Sequence, residues 1–223
     1  MFAYYGEKRQ LAHLYPEPVF DQIVEPFAGS ASYSLHGDRW RRQVHLVERD
    51  PRIADVWRWL IQDANRSAIE ALPDLKPGER SAEFLHIVLV ATRTANGADS
   101  VAITPELAQA WEAARARMAQ AVGHVKHWSI QCGEYTDAPD VAATWFVDPP
   151  YKGEPGAGYR FGSHTLDFDA LQRWILDREG QAIACEGGFG QYLPFQPLRP
   201  GVDVPGRPRD EFVWSNLGLG PDH

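Results

Sequence analysis

The chain has 223 residues, 44% of them hydrophobic and 23% charged, which suits one globular domain or one domain with a modest insertion. A net charge of −8 argues against a protein that coats nucleic acid electrostatically, while an enzyme that visits DNA through a local basic face stays open. No stretch is long and apolar enough to span a membrane, and Met1-Phe2-Ala3-Tyr4 does not begin a signal peptide, so a cytoplasmic protein is expected. In chain order, Ile23-Val24 is a short strand candidate ending at Glu25-Pro26. Phe27-Ala28-Gly29-Ser30-Ala31-Ser32 follows, a turn of small residues that can approach a ligand closely and then start a helix. Val44-His45-Leu46-Val47 is a second strand, ending at Glu48. From the glycine turn to Glu48 is about one βαβ crossover, the spacing at which an acid meets ribose hydroxyls. A surface charge at a strand end is the plain alternative.

Residues 51–122 read as mostly helical, with apolar residues at helical intervals over 52–63, 82–92 and 105–122. Pro105 suits a first turn capped by Thr104, and the polar 93–99 segment is turn-rich. The block is too long for one crossover helix and is expected to be an insertion on the rim of a sheet. A third strand follows at 128–132, and a fourth at 144–147. After it come a glycine-rich loop (152–162), a helix (168–178) and a fifth strand (181–185). Segments 195–198 and 211–214 could close the chain as an antiparallel hairpin. Strands alternating with helices predict a mainly parallel α/β sheet with ligands at the strands' carboxyl ends, where Glu25, Glu48 and Asp148 fall.

The fourth strand runs straight into Asp148-Pro149-Pro150-Tyr151. Two prolines hold the backbone extended and donate no N–H, so a carboxylate, a free carbonyl and an aromatic face are aimed at one small volume. That set suits a flat base carrying an exocyclic amine; a rigid Pro-Pro turn with Asp148 as a local cap is the alternative. Cys132 and Cys185 read as reduced packing residues, and the eight histidines lack ligand spacing. The basic groups Arg39-Trp40-Arg41-Arg42, Arg115 with Arg117, and Arg199 with Arg207 and Arg209 are expected to be solvated surface.

Four segments, in order, resemble the Dam-like family of DNA adenine-N6 methyltransferases. They are Tyr4-Tyr5-Gly6-Glu7-Lys8, Glu25-Pro26-Phe27-Ala28-Gly29-Ser30-Ala31, Glu48-Arg49-Asp50-Pro51 and Asp148-Pro149-Pro150-Tyr151. Glu211-Phe212-Val213-Trp214-Ser215-Asn216 is also similar to that family's last strand. Ala31 stands where the pattern has a second glycine, which a negative backbone angle would tolerate, and Glu48 stands where it has Asp.

The resemblance implies a Rossmann-like methyltransferase sheet with a helical insertion and an S-adenosylmethionine cofactor. Residues 1–63 and 124–223 would form the catalytic domain, and 64–123, short and without an obvious basic hairpin, the target-recognition region. Tyr4 would pack near the adenosine, Lys8 would border the cofactor pocket, and Glu48 would accept from the ribose hydroxyls. A helix dipole and turn amides behind Phe27-Ala28-Gly29 would face the methionine carboxylate. Glu134 and Tyr135 are candidates for the cofactor's adenine. Asp148 and the Pro149 carbonyl would accept the amino hydrogens of an adenine flipped out of DNA, and Tyr151 would stack on it. Cytosine N4, an RNA adenine or a protein glutamine are rival acceptors, since each presents an amide-like or aniline-like nitrogen. An inactive cofactor-binding module that binds DNA is the rival from another class. Segment order and the Tyr-x-Gly-x-Lys start favour DNA adenine.

Overall fold

The computed structural model describes residues 1–2, 4, 6–81, 101–188, 190–198 and 211–219. The helix expected over 82–92, the 93–99 segment, Tyr5, Arg199, Arg207 and Arg209 lie outside the described residues. Strands β1 (Gln22–Glu25), β2 (Gln43–Glu48), β5 (Ser129–Cys132), β6 (Ala143–Val147), β7 (Gly180–Gly187), β8 (Gln196–Pro197) and β9 (Glu211–Ser215) form one seven-stranded sheet. A separate two-stranded ribbon pairs β3 (Arg80–Ser81) with β4 (Val101–Ala102). The large sheet has the order β5-β2-β1-β6-β7-β9-β8. Its first five strands are parallel, and β9 runs antiparallel to both β7 and β8. Counted along the chain within this sheet, the order is 3-2-1-4-5-7-6, the Rossmann-like methyltransferase topology.

The central strands are short and mostly apolar because both of their faces are covered, with Thr144, Gln181 and Glu186 as buried polar exceptions. Side chains alternate between two cores, as strand pleating requires. Ile23, Phe146, Ile183 and Cys185 join one cluster; Val24, Trp145, Val147, Ala182 and Ala184 join the other. On the first face lies α1 (Pro51–Gln62), capped by the Asp50 carboxylate accepting from Arg52 N–H at 3.0 Å. Its Trp57 and Leu60 are fully buried, and the Lys126 ammonium takes up carbonyls at its C-terminal end, among them Leu60 at 2.8 Å. The short α2 (Arg66–Glu70) packs against α3 (Pro105–Ala121). Thr104 caps α3 as expected, its hydroxyl accepting from Leu107 N–H at 3.3 Å. Trp111 and Met118 of α3 belong to the same cluster as Trp57 and Leu46. The one-turn α4 (Glu154–Ala157) lies in the glycine-rich loop, and α5 (Phe168–Leu176) covers the second face through Leu171 and Ile175.

Two expectations need correction here. Arg39 is not solvated surface: it is buried, ion-paired to Glu17 at 2.7 Å, and its guanidinium lies 4.2 Å from the Tyr33 ring centroid. Carbonyls of Ala12 and Tyr15 take its other N–H groups, so it staples the N-terminal segment to the 33–39 turns. Cys132 is exposed and Cys185 buried, because β5 is an edge strand with little cover while β7 is central. Arg115 is partly covered too, bridging to Asp74 at 2.7 Å. Among the described residues no helix is long and apolar enough to cross a membrane.

Candidate active site

Parallel strands deliver their carboxyl ends to one edge, and four acids stand there: Glu25 ends β1, Glu48 ends β2, Asp148 follows β6, and Glu134 lies just past β5. They border a cleft, open to solvent, of about 920 Å³. Tyr4, Lys8, the loop Pro26-Phe27-Ala28-Gly29-Ser30, Tyr135 and Pro150 line it as well. Thirteen predicted positions from five chain segments are thus brought together. Pro149 is buried, and Tyr151 sits behind the cleft wall, its half-buried ring against the core.

The glycine turn is held from three sides. Gly29 N–H donates to Glu48 Oε2 at 3.0 Å, and Trp57 of α1 donates its indole N–H to the Gly29 carbonyl at 2.8 Å. Gly29 has φ of +45°, and a Cβ there would stand 3.0 Å from the Tyr4 ring, so only glycine fits. Ala31 also has a positive φ, +49°, so the negative angle that would tolerate alanine is not the one adopted. It is therefore strained where the family pattern would place glycine.

The helix expected behind this turn does not form. Residues 32–38 make successive turns up to a 3₁₀ segment, Arg39–Arg41. Ala31 in the left-handed region breaks a helical start, Gly37 at +56° breaks it again, and Ser34 N–H is captured by Glu25 Oε1 at 2.9 Å. Turns, not a helix N-terminus, border the cleft here.

Burial pushes the carboxyl groups of Glu25 and Glu48 up to about 7, against which main-chain donors work. Glu48 receives Gly29 N–H on one oxygen and Asp50 N–H on the other at 2.9 Å. Beside Glu134, Tyr135 stacks on Phe27 with centroids 5.5 Å apart and planes 21° from parallel. Trp174 meets Tyr135 edge-on from below.

Asp148 carries an ion pair to Lys8, Oδ1 to Nζ 2.9 Å, and Lys8 also donates to the Gly6 carbonyl at 2.9 Å. Burial raises the Asp148 carboxyl to about 6, and Lys8 opposes that rise. Burial alone would lower the Lys8 ammonium, yet Asp148 and Glu211 outweigh it and hold the ammonium charged. The Lys8 ammonium lies 4.7 Å from the Tyr151 ring centroid. Tyr151 donates its hydroxyl to Glu211, and the ring passes over Gly187, where a Cβ would be 2.9 Å away. Glu186 holds the exit of the tetrapeptide: its Oε1 accepts from Lys152 N–H at 3.1 Å and Gly187 N–H at 2.8 Å.

Sequence reasoning missed several residues of this site. Glu211 and Tyr15 join Tyr151 from distant segments, so no local pattern could reveal them. Arg49 clasps the cleft rim, pairing with Glu134 at 2.8 Å, donating to Thr165 Oγ1 at 2.9 Å, and lying 4.8 Å from the Phe161 ring. Its place between Glu48 and Asp50 was the available signal. Tyr159 and Phe161 also line the cleft, in the loop that sequence reading treated only as glycine-rich.

The donor set fits S-adenosylmethionine: carboxylates for a cationic ligand and for a diol, an aromatic wall for adenine, and a turn that admits no side chain at Gly29. The fold is compatible with binding of this cofactor. The sequence matches no protein-family model and no curated protein.

Proposed function

We propose that the chain transfers a methyl group from S-adenosylmethionine to the N6 amino group of adenine in DNA. The observation that carries this reading is Asp148, a carboxylate at the end of β6, lining the same cleft as the Glu25–Ser30 loop and Glu48 on a methyltransferase-type sheet. When bound, the cofactor supplies an electrophilic methyl on a sulfonium, and Tyr4, Phe27, Gly29, Glu48, Glu134 and Tyr135 are the residues that would hold it. Asp148 accepts one hydrogen of the target amine and the Pro149 carbonyl the other, which turns the nitrogen lone pair toward the incoming methyl. Pro150 borders the acceptor position, the Tyr151 ring backs Asp148 from the core side instead of stacking on the base as expected, and the surplus proton leaves to water after transfer. The base reaches this volume only by leaving the duplex stack. Lys8 donates to Asp148 Oδ1 at 2.9 Å and so holds the carboxylate that would receive the target amine.

The test offers labelled S-adenosylmethionine to DNA, RNA and glutamine-bearing protein side by side. Label in DNA supports the reading. Label confined to RNA or protein replaces the acceptor, and cofactor binding by calorimetry without any transfer points to an inactive binding module.

A further inference from the structure

One oxygen of Glu211 gathers three donors from three parts of the chain. Tyr15 O–H reaches Oε1 at 2.7 Å, Tyr151 O–H donates to the same atom, and Lys8 Nζ stands 3.8 Å from it. The Glu211 side chain is 8% exposed and Lys8 7%, so these contacts are made with little water. β9 brings Glu211 opposite Gly187 of β7, the residue whose missing side chain leaves space for the Tyr151 ring. Leu198 N–H ties the main chain at Glu211 at 2.8 Å, fixing the start of the strand.

We propose that Glu211 is a positioning residue: through its shared oxygen it locks the Tyr151 ring and the Lys8 ammonium in place behind Asp148. The consequence for turnover rests on the methyl-transfer reading above; the lock itself does not. Without Glu211 the Tyr151 and Tyr15 hydroxyls lose the carboxylate oxygen they share, and Lys8 is left to Asp148 and the Gly6 carbonyl. A carboxylate rather than an amide is required because two hydroxyl donors and an ammonium converge on one atom.

The charges that face Asp148 come from every neighbouring element. Lys8, Tyr4 and Tyr15 belong to the N-terminal segment, Glu25 to β1, Cys185 and Glu186 to β7, Glu211 to β9, and Tyr151 to its own loop. Tyr192 faces it from the segment after β7. Of these, Lys8 and a hydrogen bond from Tyr151 favour the ionised carboxylate and Glu211 opposes it.

The experiment follows the Asp148 side-chain carbon by NMR in the whole protein labelled at aspartate, with Asp148→Asn to assign the signal. Glu211→Gln is expected to move the Asp148 titration down by at least about half a unit, since a negative neighbour is gone and Lys8 turns wholly to Asp148. Lys8→Met is expected to move it up. Tyr15→Phe, a conservative change that leaves Glu211 less neutralised, is expected to move it up as well and serves if Glu211→Gln does not fold. An unmoved Asp148 titration in folded Glu211→Gln, or in Tyr15→Phe where that variant stands in, overturns the proposal. In the methyl-transfer assay Glu211→Gln should lower kcat, leave the cofactor KM nearly unchanged and shift the acid limb of the pH profile with the NMR titration. If no variant, wild type included, transfers methyl groups, the function reading fails while the NMR result still decides the lock.

Discussion

Replacing Asp148 by Asn tests the chemistry at its centre. The two side chains have the same shape, so the change removes a charge and turns one acceptor into a donor. Lys8 is 7% exposed and Asp148 21%, and their pair at 2.9 Å is largely out of water. Deleting one member of a buried pair typically costs about 3–5 kcal/mol. Here the Gly6 carbonyl at 2.9 Å and Glu211 at 3.8 Å still serve the ammonium, so we expect about 1–3 kcal/mol. Turnover should fall much further relative to binding. A misplaced polar contact to a reacting group costs roughly 100-fold or more, and an amide N–H₂ facing an amine is worse than none. Cofactor affinity should change by less than about tenfold, because Gly29, Glu48 and Tyr135 are untouched. The assay is single-turnover methyl transfer with calorimetric cofactor titration, run below the melting temperature of the variant. Turnover within a few-fold of wild type in folded Asp148→Asn would refute the orienting role.

Four further outcomes are expected. Gly187→Ala should force the Tyr151 ring from its place, destabilising the protein by about 1–3 kcal/mol in urea and lowering turnover; an unchanged denaturation midpoint would mean that the ring has room to move. Trp57→Phe removes the indole donor to the buried Gly29 carbonyl and should cost about 1–3 kcal/mol while weakening cofactor binding, with calorimetry as the check. Arg49→Ala opens the clasp to Glu134, Thr165 and Phe161, so stopped-flow should show cofactor leaving roughly tenfold faster with stability changed little. Finally, Glu25, Glu48 and Glu186 are raised to about 7 and Asp148 to about 6 from ordinary values of 4.5 and 3.8, chiefly by burial. The folded chain therefore binds more protons than the unfolded chain across that window. Stability should be greatest below it and fall as pH rises through 6 to 7, which urea midpoints at pH 5 and pH 8 would check.

The sheet was legible because its strands are short apolar runs that each end in a chemical punctuation mark: Glu25-Pro26, Glu48, Asp148-Pro149. Thr104-Pro105 likewise announced its helix through capping chemistry that acts within one turn. What was not legible depends on contacts across the chain. The sign of φ at Ala31 follows from how the glycine turn is gripped by Glu48 and Trp57, neither of which is local to it. The helix behind that turn looked plausible by composition, yet a tertiary bond from Ser34 to Glu25 claims an amide it needed. Arg39 looked like surface because three basic or aromatic residues follow it, and its partners Glu17, Ala12 and Tyr15 lie in the N-terminal segment. Tyr151 and Glu211 are 60 residues apart, so their bond had no signature in either motif.

The most direct measurement of the central claim is the identity of the methylated nucleoside. Unmethylated double-stranded DNA is incubated with the protein and methyl-labelled S-adenosylmethionine, digested, and its nucleosides separated. The account predicts label in N6-methyladenine, abolished in Asp148→Asn. Label in N4-methylcytosine, or none in DNA while cofactor binds, would contradict it.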